Sequence, residues 1–458
     1  MTNRAAEYIE SHRKEFLEEL FELLRIPSVS SDPAARPHME RCAAVLRDRL
    51  ADAGLRAEIL PTGGQPVVWG ERKIGAGPTV LVYGHYDVQP PDPLEKWDHG
   101  PFDPVITDGN VVARGASDDK GQAFALVCGI EAALKSGGGP AVNIKVLLEG
   151  EEEVGSPSLA PFIRKERERL RADCVVIADT GQFDHGVPAI TYGLKGLVYM
   201  ELVVQGPSKD LHSGSYGGAV MNPANALARM IAACQGPFGR VAIPGFYDRV
   251  RPLEDWERRE FAALPFREDG FLAEVGSPSL WGEEGYTTLE RKWARPTFDV
   301  NGLVSGHTGP GSKTVLPSKA GAKFSMRIVP DQEPQEIARL AEEYLRRIAP
   351  PGVSIEFITH HHAAPVIVRR DIPAMRAAEA AVERGFGRKP VFIREGGSIP
   401  VVGTFKQELG ADTILLGLGL PDDNAHSPNE KFCVQDFYRG MATMAAFLEE
   451  LGDRTQGG

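Results

Sequence analysis

Several residues of this 458-residue chain could hold metal ions and move protons, and most of them follow directly on short apolar runs. TVLVYG (79–84) leads into His85, Tyr86 and Asp87, and VNIKVLL (142–148) into Glu149, Gly150, Glu151, Glu152 and Glu153. CVVIA (174–178) leads into Asp179, and TILLGLGLPDDNA (413–425) into His426. A fifth group, Ser117-Asp118-Asp119, stands just before a helical pattern. Singly, each has an ordinary explanation: an Asp after a strand caps or turns the chain, a Glu run faces solvent, a lone His is a satisfied polar residue. Together they crowd carboxylates, which is unfavourable unless cations neutralise them. Counting Asp118, Glu153 and Asp179 as ligands gives three negative charges, and a bridging hydroxide adds a fourth that balances two divalent ions. Mixed His and carboxylate ligation suits Zn2+, with Mn2+ or Co2+ as alternatives. His85 and Asp87, two apart in extended chain, point the same way, so Asp87 can orient the non-ligating nitrogen of His85. In the pair Glu152-Glu153 one carboxylate can bind metal while its neighbour takes a proton from metal-bound water. Two metals and a free carboxylate are the equipment of a hydrolase.

The elements that must position these residues read as an α/β sheet. The four apolar runs are short, rich in Val and Ile, and separated by helical patterns such as GQAFALVCGIEAAL (121–134), as expected of strands buried on both faces. In open sheets of this kind functional groups gather beyond the carboxyl ends of the strands, where all five groups fall. Helical spacing also marks residues 4–25 and the stretch containing Cys42, Leu46 and Leu50, followed by the strand-like RAEIL at 56–60. Between the third and fourth runs the pattern changes. GLVYMELVVQG (196–206) alternates, MNPANALARMIAACQ (221–235) is helical, 322–350 reads strand then helix, and VSIEFITH (353–360) reads as a strand. This is an α+β unit inserted into the first domain, with 237–310, rich in Gly, Pro, Trp and charge, carrying no clear pattern. The expected organisation is a catalytic α/β domain over 1–194 and 369–458, interrupted by an inserted α+β domain over 195–368.

Composition narrows the class of partner. With 42% hydrophobic and 25% charged residues the chain is an ordinary globular protein, long enough for two domains. Its net charge of -12 and lack of dense Lys/Arg clusters argue against nucleic acid or an anionic membrane as partner, and favour a small ligand. The N-terminus is polar and helix-like, without an apolar core of signal-peptide length, and no apolar run is long enough to span a bilayer, so a cytoplasmic protein is expected. The five cysteines are scattered and lack C-x-x-C spacing, leaving His and carboxylates to hold any metal.

Seven blocks, GHYDVQP (84–90), ARGASDDKG (113–121), LEGEEEVGS (148–156), DLHSGSYGG (210–218), KFSMRIVP (323–330), REGGSIP (394–400) and DDNAHSPNE (422–430), resemble the signatures of the aminoacylase and carboxypeptidase-type di-zinc peptidases. The match is strongest to their carnosinase and cytosolic nonspecific dipeptidase branch. The resemblance implies that His85 and Asp179 hold one metal, Glu153 and His426 the other, that Asp118 bridges them through a turn with a cis peptide to Asp119, and that Glu152 is the general base. It implies a homodimer formed through the inserted domain, acting as a lid, in which His212 reaches the partner subunit's active site and stabilises the oxyanion. It further implies that Arg327 and Ser398, with backbone of Gly396 and Gly397, hold the carboxylate of a small peptide substrate, assisted by Thr314 and His361, the last subject to a shift of one within His360-His361-His362. Ser117 stands where this branch more often has Thr. The implied activity is metal-dependent dipeptide hydrolysis by a water bridging two metals. A deacylase of N-acyl amino acids would use the same metals and base, and an inert dimeric binding protein would have lost Glu152 or a ligand, all of which are present.

Overall fold

The computed structural model describes residues 4–137 and 139–456, which pack as two compact units. One comprises the chain through Tyr192, Val368–Ile393 and the stretch from Thr404 onward; the other comprises Gly193–Ile367 and Arg394–Gly403.

The central sheet of the first unit runs Arg56–Leu60, Val67–Arg72, Asn143–Glu149, Thr79–His85, Cys174–Gly181, Asp412–Gly419, Ala189–Leu194. Its four middle strands are mutually parallel. They are the four apolar runs of the sequence, and every residue of Asn143–Glu149 is buried. Such strands need β-branched and aliphatic side chains on both faces, and each fully buried Val, Leu or Ile contributes roughly 1.5–3 kcal/mol of burial. The helix Lys120–Lys135 is buried around almost its whole circumference, which explains its lack of a polar stripe. Cys128 and Cys174 are buried as small apolar side chains. Because the four strands are parallel, their carboxyl ends lie along one edge, with His85 at the end of its strand, Asp179 two residues before the end of its own, and the Glu151–Glu153 turn and the loop to His426 following the other two.

The second unit is built on a four-stranded antiparallel sheet in the order Thr297–Ser305, Lys319–Ile328, Gly196–Gln205, Ser354–Ala363. On Gly196–Gln205, Val198, Met200, Leu202 and Val204 alternate into a core shared with Leu227 and Met230 of the helix Pro223–Ala233, and with Ile337, Ala341 and Leu345 of Pro334–Ile348. The stretch 237–310 contains three short helices, Asp255–Ala263, Glu268–Val275 and Thr288–Ala294, and the edge strand Thr297–Ser305. One boundary is corrected. Arg394–Gly403 was expected with 369–458 but packs with the second unit, because Lys195 N donates to Glu395 O (3.1 Å), Ser398 Oγ donates to Lys195 O (2.6 Å) and Arg394 pairs with Glu257. Among the described residues no helix is long and apolar enough to cross a membrane.

Candidate metal centre

Two clusters of potential ligand atoms form at the strand-end edge of the first unit, and they share one residue. His85, Asp118 and Asp179 make the first, and Asp118, Glu153 and His426 the second, each with ligand atoms within 4.8 Å of one another. Asp118 turns Oδ1 toward His85 Nε2 at 3.2 Å and Oδ2 toward His426 Nε2 at 2.8 Å. Asp179 Oδ2 lies 4.0 Å from His85 Nε2, and Glu153 Oε2 lies 3.3 Å from His426 Nε2. The peptide joining Asp118 to Asp119 is cis.

The donor set fits two divalent cations. His85 is fully buried and, among the described residues, its Nε2 makes no hydrogen bond, although it faces the carboxylates of Asp118 and Asp179. Burial, with the neighbouring Asp119 and Asp118 charges, pushes Asp179 well above the usual carboxylate range, and burial does the same to Asp119. His426 is pushed up to about 10 by Asp118 and then Glu153, so a proton occupies the place that a cation would take. A carboxylate that presents its two oxygens to two imidazoles in opposite directions is suited to hold a pair of ions.

The three consecutive glutamates divide by hydrogen bonding. Glu151 faces away, its oxygens accepting from the backbone N–H of Gln65 (3.0 Å) and Ser158 (3.2 Å). Glu153 is gripped by Gln89, whose backbone N–H and side-chain Nε2 donate to its two oxygens at 3.1 and 2.7 Å. Among the described residues the Glu152 carboxylate accepts no hydrogen bond, and burial lifts its pKa to about 7, against the pull of His85. Asp87 differs from the sequence expectation in detail. The nearest acceptor to His85 Nδ1 is the carbonyl of Asp87 (3.1 Å), with its carboxylate at 3.4 Å, and that carboxylate accepts the N–H groups of Glu152 (3.2 Å) and Glu153 (3.1 Å). Asp87 thus fixes the acidic turn as well as the imidazole. Gln89 escaped the sequence reading, although it stands two residues beyond Asp87 on the same side of an extended segment.

In the second unit Arg327 Nη1 donates to Ser398 Oγ (3.1 Å), on the loop that carries Gly396 and Gly397. Arg327 is partly buried, and among the described residues it forms no ion pair. Lys195, buried beside it, is drawn down to about 7 by burial and by the Arg327 charge. This concentration of positive charge suits an anionic group. His361 stacks on Tyr199 at 5.4 Å, and burial followed by His360 and Arg327 lowers its pKa. His212 is exposed, its Nδ1 accepting from Gly214 N–H (3.1 Å), and it pairs with Val315 next to Thr314. The structure therefore groups Arg327 with Ser398, and His212 with Thr314.

Known proteins resemble this chain over nearly its whole length. The profile of the peptidase family M20/M25/M40 matches residues 81–450. The Cys-Gly metallodipeptidase dug1 of Schizosaccharomyces pombe is 35% identical over 97% of this chain and 97% of its own length. The Beta-Ala-His dipeptidase of Homo sapiens is 31% identical over 98% of this chain and 93% of its own. The solved structure of the di-peptidase Dug1p from Saccharomyces cerevisiae superposes with a TM-score of 0.83 at 31% identity, covering 98% of both chains. With the family match over residues 81–450 and similarity over nearly the full length of these dipeptidases, the chain belongs to the peptidase family M20/M25/M40.

Proposed function

We propose that the protein is a cytoplasmic, homodimeric metallodipeptidase that uses two divalent cations, Zn2+ in the first instance. The observation that carries this reading is Asp118, which offers its two oxygens to His85 and His426 beside a Glu152 carboxylate that accepts no hydrogen bond among the described residues. Cations held by His85, Asp179, Asp118, Glu153 and His426 would acidify a water and polarise the scissile carbonyl. Glu152 takes the proton from the attacking water and returns it to the leaving amine. Asp87 keeps both Glu152 and His85 oriented. Arg327 and Ser398, with Gly396 and Gly397, bind the substrate's terminal carboxylate, with Thr314 and His361 assisting, and His212 of the other subunit donates to the developing oxyanion. The dipeptidase names of the similar proteins support the substrate class. Dimerisation through the second unit is supported by its edge strand Thr297–Ser305, which exposes Val300, Leu303 and Val304 along an unpaired backbone edge.

The test is to reconstitute the metal-free chain with Zn2+, Mn2+ or Co2+ and assay dipeptides, a tripeptide and N-acyl amino acids. Dipeptides should be the best substrates. A clear preference for the acylated compounds would replace the dipeptidase by a deacylase.

A further inference from the structure

The segment that delivers His426 is held in an unfavourable shape. Asn424, His426 and Asn429 all have left-handed backbones, with φ of 56°, 61° and 60°, and none is glycine. Such a conformation persists only where the surroundings over-determine it. Two carboxylates of the same segment, three residues before and four after His426, supply that restraint, and both grip the segment that carries Asp118.

Glu430 is completely buried and collects donors on both oxygens. Oε1 accepts the backbone N–H of Ser117 and of Asp118, each at 2.9 Å. Oε2 accepts the N–H of Gly115 at 2.9 Å and Nη1 of buried Arg114 at 2.7 Å. Its own carbonyl accepts Ala113 N–H (3.0 Å). Asp423 closes the other side, where Oδ2 accepts Ser117 Oγ (2.8 Å) and Leu420 N–H (2.7 Å). Arg114 offsets part of the charge of Glu430. A carboxylate spent wholly on N–H donors of a ligand-bearing turn fixes where that ligand points.

We infer that Glu430 and the Ser117–Asp423 hydrogen bond are positioning elements that lock the Asp118 segment to the His426 segment and so set the second cation site before any ion arrives. The inference rests on the two-cation reading above. Neither Glu430 nor Asp423 touches substrate in this scheme, and each acts through Asp118 and His426.

The experiment is calorimetric titration of the full-length, metal-free chain with Zn2+, comparing wild type, Glu430→Gln, Ser117→Ala and the ligand control His426→Ala, with thermal melts of every metal-free variant. Glutamine keeps the shape but turns an amide toward N–H donors, and Ser117→Ala deletes one hydroxyl. Wild type should bind two Zn2+. Glu430→Gln and Ser117→Ala should bind at least the Zn2+ beside His426 about 10–100-fold more weakly, the range seen when partners of metal ligands are removed. Variants with lowered metal-free melting temperatures but two unaltered Zn2+ affinities would show a merely structural role and overturn the inference. Should Glu430→Gln fail to fold, Ser117→Ala decides by itself. A wild type that binds no pair of Zn2+ would overturn the two-cation reading and this inference with it, whereas a normal wild type with unaffected variants would overturn the inference alone.

Discussion

His426 Nε2 lies 2.8 Å from Asp118 Oδ2, close enough that a proton or a metal ion, but not both, can sit between them. The pairing lifts the His426 pKa from 6.5 to about 10 in the metal-free chain. A folded-state pKa above the unfolded one means that the stabilisation is complete below about 6.5 and is lost as the pH rises through about 10. Within that window a cation must expel the proton. Zn2+ affinity is therefore expected to rise by up to about tenfold per pH unit between about pH 6 and 8, with proton release visible as a buffer-dependent binding enthalpy. Affinity that is flat with pH would contradict the assignment of His426 as a ligand.

Glu152 is the one acidic residue of its turn left unengaged, so its loss should affect the chemical step alone. Glu152→Gln is expected to retain two metals and a near-normal KM while kcat falls roughly 10²–10⁴-fold. Metal content by elemental analysis together with steady-state kinetics would check this. Near-normal kcat would exclude Glu152 as the base.

For Arg327 the expectation is a defect specific to the carboxylate end of the substrate. A charged hydrogen bond is worth about 1.5–3 kcal/mol, so Arg327→Met should lower kcat/KM for a free dipeptide by roughly 10–150-fold. The corresponding dipeptide amide, which has no carboxylate to lose contact with, should change little. Equal losses on both substrates would point to a general structural defect instead.

Action of His212 in trans can be tested by complementation. His212→Ala and Arg327→Ala homodimers, each weakened on free dipeptides, should gain activity when mixed and allowed to exchange subunits, because some sites then contain both groups. A verified heterodimer no more active than the parent homodimers would argue that His212 works within its own chain.

Much of the site was legible because parallel strands turn sequence order into geometry. A run such as TVLVYG can be buried on both faces only inside a sheet, and His85 must then emerge at its carboxyl end beside the residues that close the neighbouring runs. The spacing His85-x-Asp87 located the Nδ1 partner at the right residue but not at the right atom, since side-chain periodicity says nothing about a carbonyl. The placement of Arg394–Gly403 was not readable, because it depends on the distant partners Lys195 and Glu257. Part of 237–310 was more readable than it looked. Thr287-Thr288-Leu289-Glu290 carries the spacing of a capping box, and in the structure Glu290 N–H donates to Thr287 Oγ1 (3.3 Å) while Thr287 N–H donates to the Glu290 carboxylate (2.8 Å), opening Thr288–Ala294.

The two imidazoles of the proposed metal centre stand on supports of unequal strength. His85 ends a strand in the interior of the central sheet and its side chain is 0% exposed, whereas His426 rides on a loop with its side chain 55% exposed. Backbone amides of the first kind exchange their hydrogens only when the whole unit opens, and those of the second during local excursions that leave the rest intact. A chelator should therefore empty the centre in sequence, the ion beside His426 leaving through brief loop opening and the ion beside His85 leaving far more slowly.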